Sequence, residues 1–154
     1  MPKLDIKNAP VRTATVYPGK LADHCKGRSK VALGDLGGLD QFGVNLTRLA
    51  PGAGSAHKHW HLKEDELIYM LEGEAVLVED DGETVLKAGD AAAFKAGAPN
   101  GHMMVNRSGA DAVFLEVGTR SMDEDVTYTD PDVDMKVIKE NGAWKISRKN
   151  GEHY

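Results

Sequence analysis

The chain has 154 residues, 41% hydrophobic and 28% charged, enough for one domain with a substantial core and too ordinary a mix for a disordered or fibrous protein. Its formal charge of −5, without a clustered Lys/Arg stripe, argues against a nucleic-acid surface, because neutralising phosphates requires such a stripe. Cys25 is the only cysteine, so no intrachain disulfide can form; with no apolar signal segment and no run near the ~18 apolar residues of a membrane span, the expected setting is cytoplasmic, with no membrane partner.

Residues 1–41 carry a weak pattern and are expected to form an N-terminal arm in which Cys25 is structural. Beyond them, glycines punctuate short apolar or alternating segments, the rhythm of many strands. Strands are expected over about residues 42–50, 55–61, 66–72, 74–80, 83–87, 91–95, 101–106 and 111–117, with no long helix among them. Asp80, Asp81 and Gly82 separate two of these as a hairpin turn, since Asp and Gly tolerate the left-handed backbone of tight turns. Such a set of strands fits an all-β jelly-roll barrel, in which the sheet folds onto itself and hides its edges. Residues 121–154 are expected to flank the barrel: a strand or short helix, a turn at Asn141 and Gly142, a strand over residues 144–146, and a polar tail. Trp144 there is either an anchor on a second subunit or a cover for its own barrel. The whole chain, 1–154, is taken as a single domain with its barrel at about 42–120.

His57, His59 and His61 stand at alternate positions, and Glu66 follows five residues later. In an extended strand, residues two apart share a face and can converge on one point. Imidazole nitrogens with a carboxylate oxygen suit a divalent transition ion.

These residues resemble the cupin superfamily. Its first motif is a glycine, a five-residue gap, His-x-His, three or four residues, Glu, six residues and Gly. PGAGSAHKHWHLKEDELIYMLEG supplies His59-Trp60-His61, Glu66 and Gly73, with Gly52 and Gly54 flanking the position of the leading glycine. The second motif opens with Gly and closes with His-x-x-x-Asn, matched by Gly89, Gly97, His102 and Asn106 in GDAAAFKAGAPNGHMMVNRSG. Lys95 replaces the usual proline, and two extra residues lie between Gly97 and the histidine. The likeness runs from about Phe42 to Arg120 and is nearest to small single-domain bacterial cupins labelled sugar-phosphate isomerases. It implies a cupin-type double-stranded β-helix holding one divalent ion, Zn, Mn, Fe or Ni, through His59, His61, Glu66 and His102.

His57 fits no ligand slot but shares parity with His59 and His61; it is placed at the barrel rim, with a ligand or substrate contact as alternatives, and is carried as a catalytic candidate. Trp60 is expected to point away from the ion into the outer core layer. Glu66 shares parity with Ile68 and Met70, while Leu67, Tyr69 and Leu71 take the other face, so the strand is expected to be covered on both sides. Glu64 and Asp65 are read as solvated turn carboxylates, and Met103 and Met104 as core packing. Arg48 and Arg120, with Tyr69, are the substrate-contact candidates, and Lys95 is a further cation able to meet an anionic group. Glu116, a carboxylate inside the apolar run AVFLEVG, needs a partner or a function and is the other catalytic candidate.

A His3Glu sphere leaves two positions for water or substrate if the ion is octahedral. An isomerase would use the ion to polarise the carbonyl of a sugar or sugar phosphate while a base moves a proton between adjacent carbons. An Fe(II)-dependent dioxygenase of a small organic acid, or a non-catalytic binding cupin, would use the same ligands. The partner is a small molecule, and a two-fold homodimer is expected from the long flanks and Trp144.

Overall fold

The glycine-punctuated segments pair into two antiparallel sheets in the computed structural model, which describes residues 2–154. Two 3-10 segments, Ile6–Asn8 and Gly19–Cys25, precede β1 (Arg28–Ala32) and the one-turn helix α1 (Leu33–Leu36). Then come β2 (Phe42–Leu49), β3 (His59–His61), β4 (Glu66–Glu72), β5 (Glu74–Glu79), β6 (Glu83–Lys87), β7 (Ala91–Phe94), β8 (His102–Val105) and β9 (Ala112–Thr119). The flank adds β10 (Glu124–Tyr128), β11 (Lys136–Glu140) and β12 (Ala143–Ser147). One sheet has the order β1-β2-β9-β4-β7 and the other β12-β11-β10-β3-β8-β5-β6. Strands distant in sequence thus lie side by side, as a jelly roll requires. Among the described residues no helix is long and apolar enough to cross a membrane.

The eight strands expected from the sequence are β2 to β9. The greatest difference is at β3: residues 55–58 are bent, and only His59–His61 pair. In the C-terminal flank the strand-or-helix segment is the strand β11, and the turn after it has Asn141 at φ 50° and Gly142 at φ 79°, the left-handed pair of a two-residue hairpin. The turn at Asp80–Gly82 also forms, but none of its three residues is left-handed. It is held from outside instead, because the Asp80 carboxylate accepts hydrogen bonds from the Gly101 N–H (2.6 Å), Thr129 Oγ1 (2.7 Å) and Lys58 Nζ (3.0 Å).

Alternation places Leu49, Ile68, Met70, Leu77, Met104 and Phe114 in one core between the sheets. A second cluster joins the arm to the flank: Tyr17 and Cys25 pack with Val126, Tyr128, Met135 and Val137. Cys25 is a free, buried thiol there. On the outer side of β4, Leu67, Tyr69 and Leu71 remain 41%, 42% and 40% exposed, so within one chain the strand is covered on its inner face alone. Gly73, which links β4 to β5, has φ 69°, and a Cβ there would overlap the Asp111 carbonyl oxygen. That is the physical reason for a glycine at the end of the first motif.

Candidate metal centre and its cavity

β3 runs between β8 and β10, with His59 opposite His102 and His61 opposite Val126. Glu66 arrives from the other sheet as the first residue of β4, where its row contains Gly118 and Phe94. The Nε2 atom of His102 lies 3.1 Å from Glu66 Oε2, and that of His61 lies 3.6 Å from the same oxygen. The rings of His59 and His61 are 5.0 Å apart and those of His59 and His102 5.1 Å. His59, His61 and Glu66 offer donor atoms within 4.8 Å of one another, and His102 joins them through its contact with Glu66.

Two of the three rings are held by neighbours. His59 Nδ1 is 2.7 Å from the His57 carbonyl, which can only accept, so the proton sits on Nδ1 and Nε2 keeps its lone pair. Phe94 lies flat on His102, with centroids 3.6 Å apart and planes 4° from parallel. Burial holds the His59 pKa at about 4, helped by the charges of His61 and His102 against the pull of Glu66. Burial would raise the Glu66 pKa, but the His102 hydrogen bond and the charges of the three histidines outweigh it and bring it to about 2. At neutral pH the site therefore offers an ionised carboxylate and a neutral imidazole with a free lone pair, the protonation states a divalent ion requires. The donor set fits such an ion.

The remaining sequence candidates are placed elsewhere. His57 precedes the strand, so alternation does not carry it to the centre. Its Nε2 lies 2.8 Å from the Leu21 carbonyl, and its ring meets Tyr17 edge-on at 4.7 Å and stacks on His24 at 5.0 Å. It pins the 3-10 segment Gly19–Cys25, not the barrel site. Gly54 makes room for this group, since a Cβ there would overlap the His24 ring. Glu116 has the partner its burial demands: Lys30 Nζ at 2.6 Å. Arg48 pairs with Asp111 at 3.1 Å, and Arg120 pairs with Asp35 and donates to the Leu39 carbonyl. Tyr69 lies on the outer face of its sheet. The structure brings none of Arg48, Tyr69 and Arg120 to the cavity beside the histidines.

That cavity, of about 220 Å³, opens beside His61 and His102 and is walled by Trp60, Glu64, Glu79, Phe94, Lys95 and Asn100. Trp60 is a half-buried wall residue and not a member of the outer core layer. Glu64 is not a solvated turn carboxylate, for its side chain is 12% exposed. Its Oε1 accepts from Lys139 Nζ (2.7 Å) and the Ser121 N–H (2.8 Å). Lys139 is itself buried and lies 4.3 Å from the centre of the Trp144 ring, which gives that tryptophan a role within its own chain. Since 75 residues separate Glu64 from Lys139, no local pattern could have revealed the pair. Glu124 is a further buried carboxylate that the sequence did not single out. It accepts from the backbone N–H groups of Leu62, Lys63 and Asp125 and so fixes the turn leaving β3. Its oxygen and one of Glu64 approach His61 within 4.8 Å; donors hold both oxygens of Glu124, and Oε1 alone of Glu64.

A family model described as a cupin domain matches residues 45–118. The chain is similar to a solved cupin-superfamily sugar phosphate isomerase from Silicibacter pomeroyi, with 48% identity over 99% of this chain and 96% of that one and a TM-score of 0.92. It is also similar to a protein from Acidithiobacillus ferrooxidans provisionally assigned as a sugar phosphate isomerase, at 28% identity over 80% and 77% of the two chains and a TM-score of 0.72. A polyketide cyclase from Streptomyces resistomycificus shares 23% identity over 87% and 89% with a TM-score of 0.69, a likeness of fold alone. No curated protein is recognisably similar to the chain.

Proposed function

The chain belongs to the cupin superfamily, and on that premise we propose that it is a metal-dependent isomerase that moves a proton between adjacent carbons of a sugar-like hydroxycarbonyl compound. The observation that carries this reading is the cation-competent donor set, of which His61 and His102 line a cavity that also holds a positioned carboxylate, Glu64. The similarity to a protein named a sugar phosphate isomerase supports the reaction class. A divalent ion held by His59, His61, Glu66 and His102 would supply Lewis acidity to the substrate carbonyl.

The chain's own residues do the rest. Phe94 and Trp60 wall the cavity with apolar surface and limit water beside the carbonyl. Lys139 and the Ser121 N–H hold Glu64 by Oε1, leaving Oε2 to take the proton from the carbon next to the carbonyl and return it to its neighbour. One C–H bond breaks and another forms, the hydroxyl proton passes to the former carbonyl oxygen so that carbonyl and hydroxyl exchange places, and no external oxidant is consumed. Glu116 and His57 are too firmly committed to Lys30 and Leu21 to serve as that base.

The test is deuterium incorporation from D2O into aldose and ketose substrates by the metal-loaded protein. Exchange is expected, with Glu64→Gln losing about 100-fold or more in rate while retaining its metal. Oxygen uptake with Fe(II) and no exchange would assign a dioxygenase instead, and ligand binding without turnover a binding cupin. The homodimer is proposed at the outer face of β4, where Leu67, Tyr69 and Leu71 stand exposed in a row, and Tyr69→Glu should yield a monomer by light scattering.

A further inference from the structure

We infer that the cavity beside His61 and His102 is built for an uncharged polyhydroxy carbonyl compound, a free sugar and not its phosphate ester. The inference rests on the reading that this cavity is the reaction site, and it narrows the substrate class.

The hydrogen-bonding inventory comes first. Glu64 Oε1 is taken by Lys139 and Ser121, and Glu79 Oε1 accepts from Asn100 Nδ2 at 3.1 Å. Among the described residues the hydrogen bonds to these two carboxylates all fall on Oε1. An ionised carboxylate is acceptor-only, so whatever fills the cavity must bring donors. Sugar hydroxyls are donors. A phosphate dianion is a second set of acceptors, and two acceptor-only groups brought together are left unpaired and repel.

The cations tell the same story. Phosphate recognition needs a guanidinium fork, an uncommitted ammonium or a cluster of backbone N–H groups. Lys95 is the cation on the cavity wall; its side chain is largely exposed and lies 3.0 and 3.2 Å from the two oxygens of Asp65, a surface pair. Lys139 is buried behind Glu64 and shared between that carboxylate and the Ser121 carbonyl. Arg48 and Arg120 are paired away from the cavity. The only α-helix among the described residues has four residues and lies between β1 and β2, so no helix N-terminus faces the cavity.

Shape agrees with chemistry. The aromatic residues Trp60 and Phe94 line the cavity together with the polar Glu64, Glu79 and Asn100. A sugar has both kinds of surface, a C–H face to lie on an aromatic ring and a rim of hydroxyls for carboxylate and amide partners. At about 220 Å³ the cavity is below the ~300–1,000 Å³ of sites for drug-sized ligands, which suits a single small sugar.

The experiment is isothermal titration of the full chain with a panel of pentoses and hexoses, each beside its phosphate ester, and with inorganic phosphate as competitor. At least one free sugar should bind about tenfold or more tightly than its ester, and inorganic phosphate should not displace it. Glu79→Gln should weaken the free sugar about fivefold or more and leave the metal content unchanged, and Glu79→Lys should shift the preference toward the ester. An ester that binds as tightly as its sugar overturns this inference alone, and deuterium exchange with that ester would keep the isomerase standing. If neither sugars nor esters bind and none exchanges deuterium, the isomerase reading falls and takes this inference with it.

Discussion

His57 and His59 are two residues apart, yet they belong to different histidine groups whose surroundings decide what each can do. His59 meets His61, His102 and an ionised carboxylate inside the barrel, with its tautomer locked by a backbone carbonyl. His57 meets His24, Tyr17 and the Leu21 carbonyl, with no carboxylate bonded to its ring. The first arrangement gathers the free Nε2 of His59, the Nε2 atoms of His61 and His102 and the Glu66 carboxylate in one place. The second spends its ring nitrogen on tying down a 3-10 segment. A converging carboxylate is what separates the candidate metal centre from the second group of imidazoles.

The sharpest way to break this contrast is metal content. His59→Ala or His102→Ala should weaken metal binding by about 100-fold or more, read as loss of bound ion by elemental analysis after dialysis. His57→Ala should keep the ion, since its backbone carbonyl still orients His59, and should instead lower the thermal midpoint by freeing the arm. If His57→Ala loses the ion as readily, the two groups are one.

A second, smaller effect sharpens the dependence of the barrel group on the distant flank. Lys139→Met removes one member of a buried pair and should cost about 3 kcal/mol in denaturant unfolding, because Glu64 is left charged without its partner. Adding Glu64→Gln should recover a large part of that loss. Additive losses in the double variant would show that the two residues are not coupled.

The smallest effect belongs to the arm. Burial, then the charge of His57, holds the His24 pKa below its ordinary value, while Asp130 acts in the opposite sense. Folded protein keeps this ring neutral, and the unfolded chain protonates it near pH 6.5. Its contribution to stability is thus complete above about pH 6.5 and is lost as the pH falls from there toward the folded pKa. Amide exchange in Gly19–Cys25, corrected for its intrinsic pH dependence, should show growing local opening from pH 7 to 5.5. His24→Gln should flatten that dependence.

Much of the barrel was legible in the sequence because each strand from β2 to β9 has its own alternation and its own turn residues. The ligand set was legible for a related reason: His59, His61 and Glu66 lie close in sequence, and His102 sits in a second motif. The strand was extended too far, through residues 55–58, where the chain bends, so shared parity with His59 gave no guide to the surroundings of His57. Glu64 was misread because its environment is set by a lysine in the opposite flank, and Trp60 because the outer side of β3 is a cavity wall and not packed core. β1 and β10 went unnoticed since their polar inward residues find partners only in the assembled fold, Lys30 in Glu116 and Glu124 in the turn after β3.

β3 is three residues long and is flanked on both sides by strands remote in sequence. A slip of one residue in its pairing would present the indole of Trp60 where two imidazoles belong, because side chains alternate strictly along a strand. Correct pairing of β3 is therefore also what assembles the candidate site. Copies that close out of step would be chemically silent, and a cation captured by the finished site would select the right closure over the wrong one.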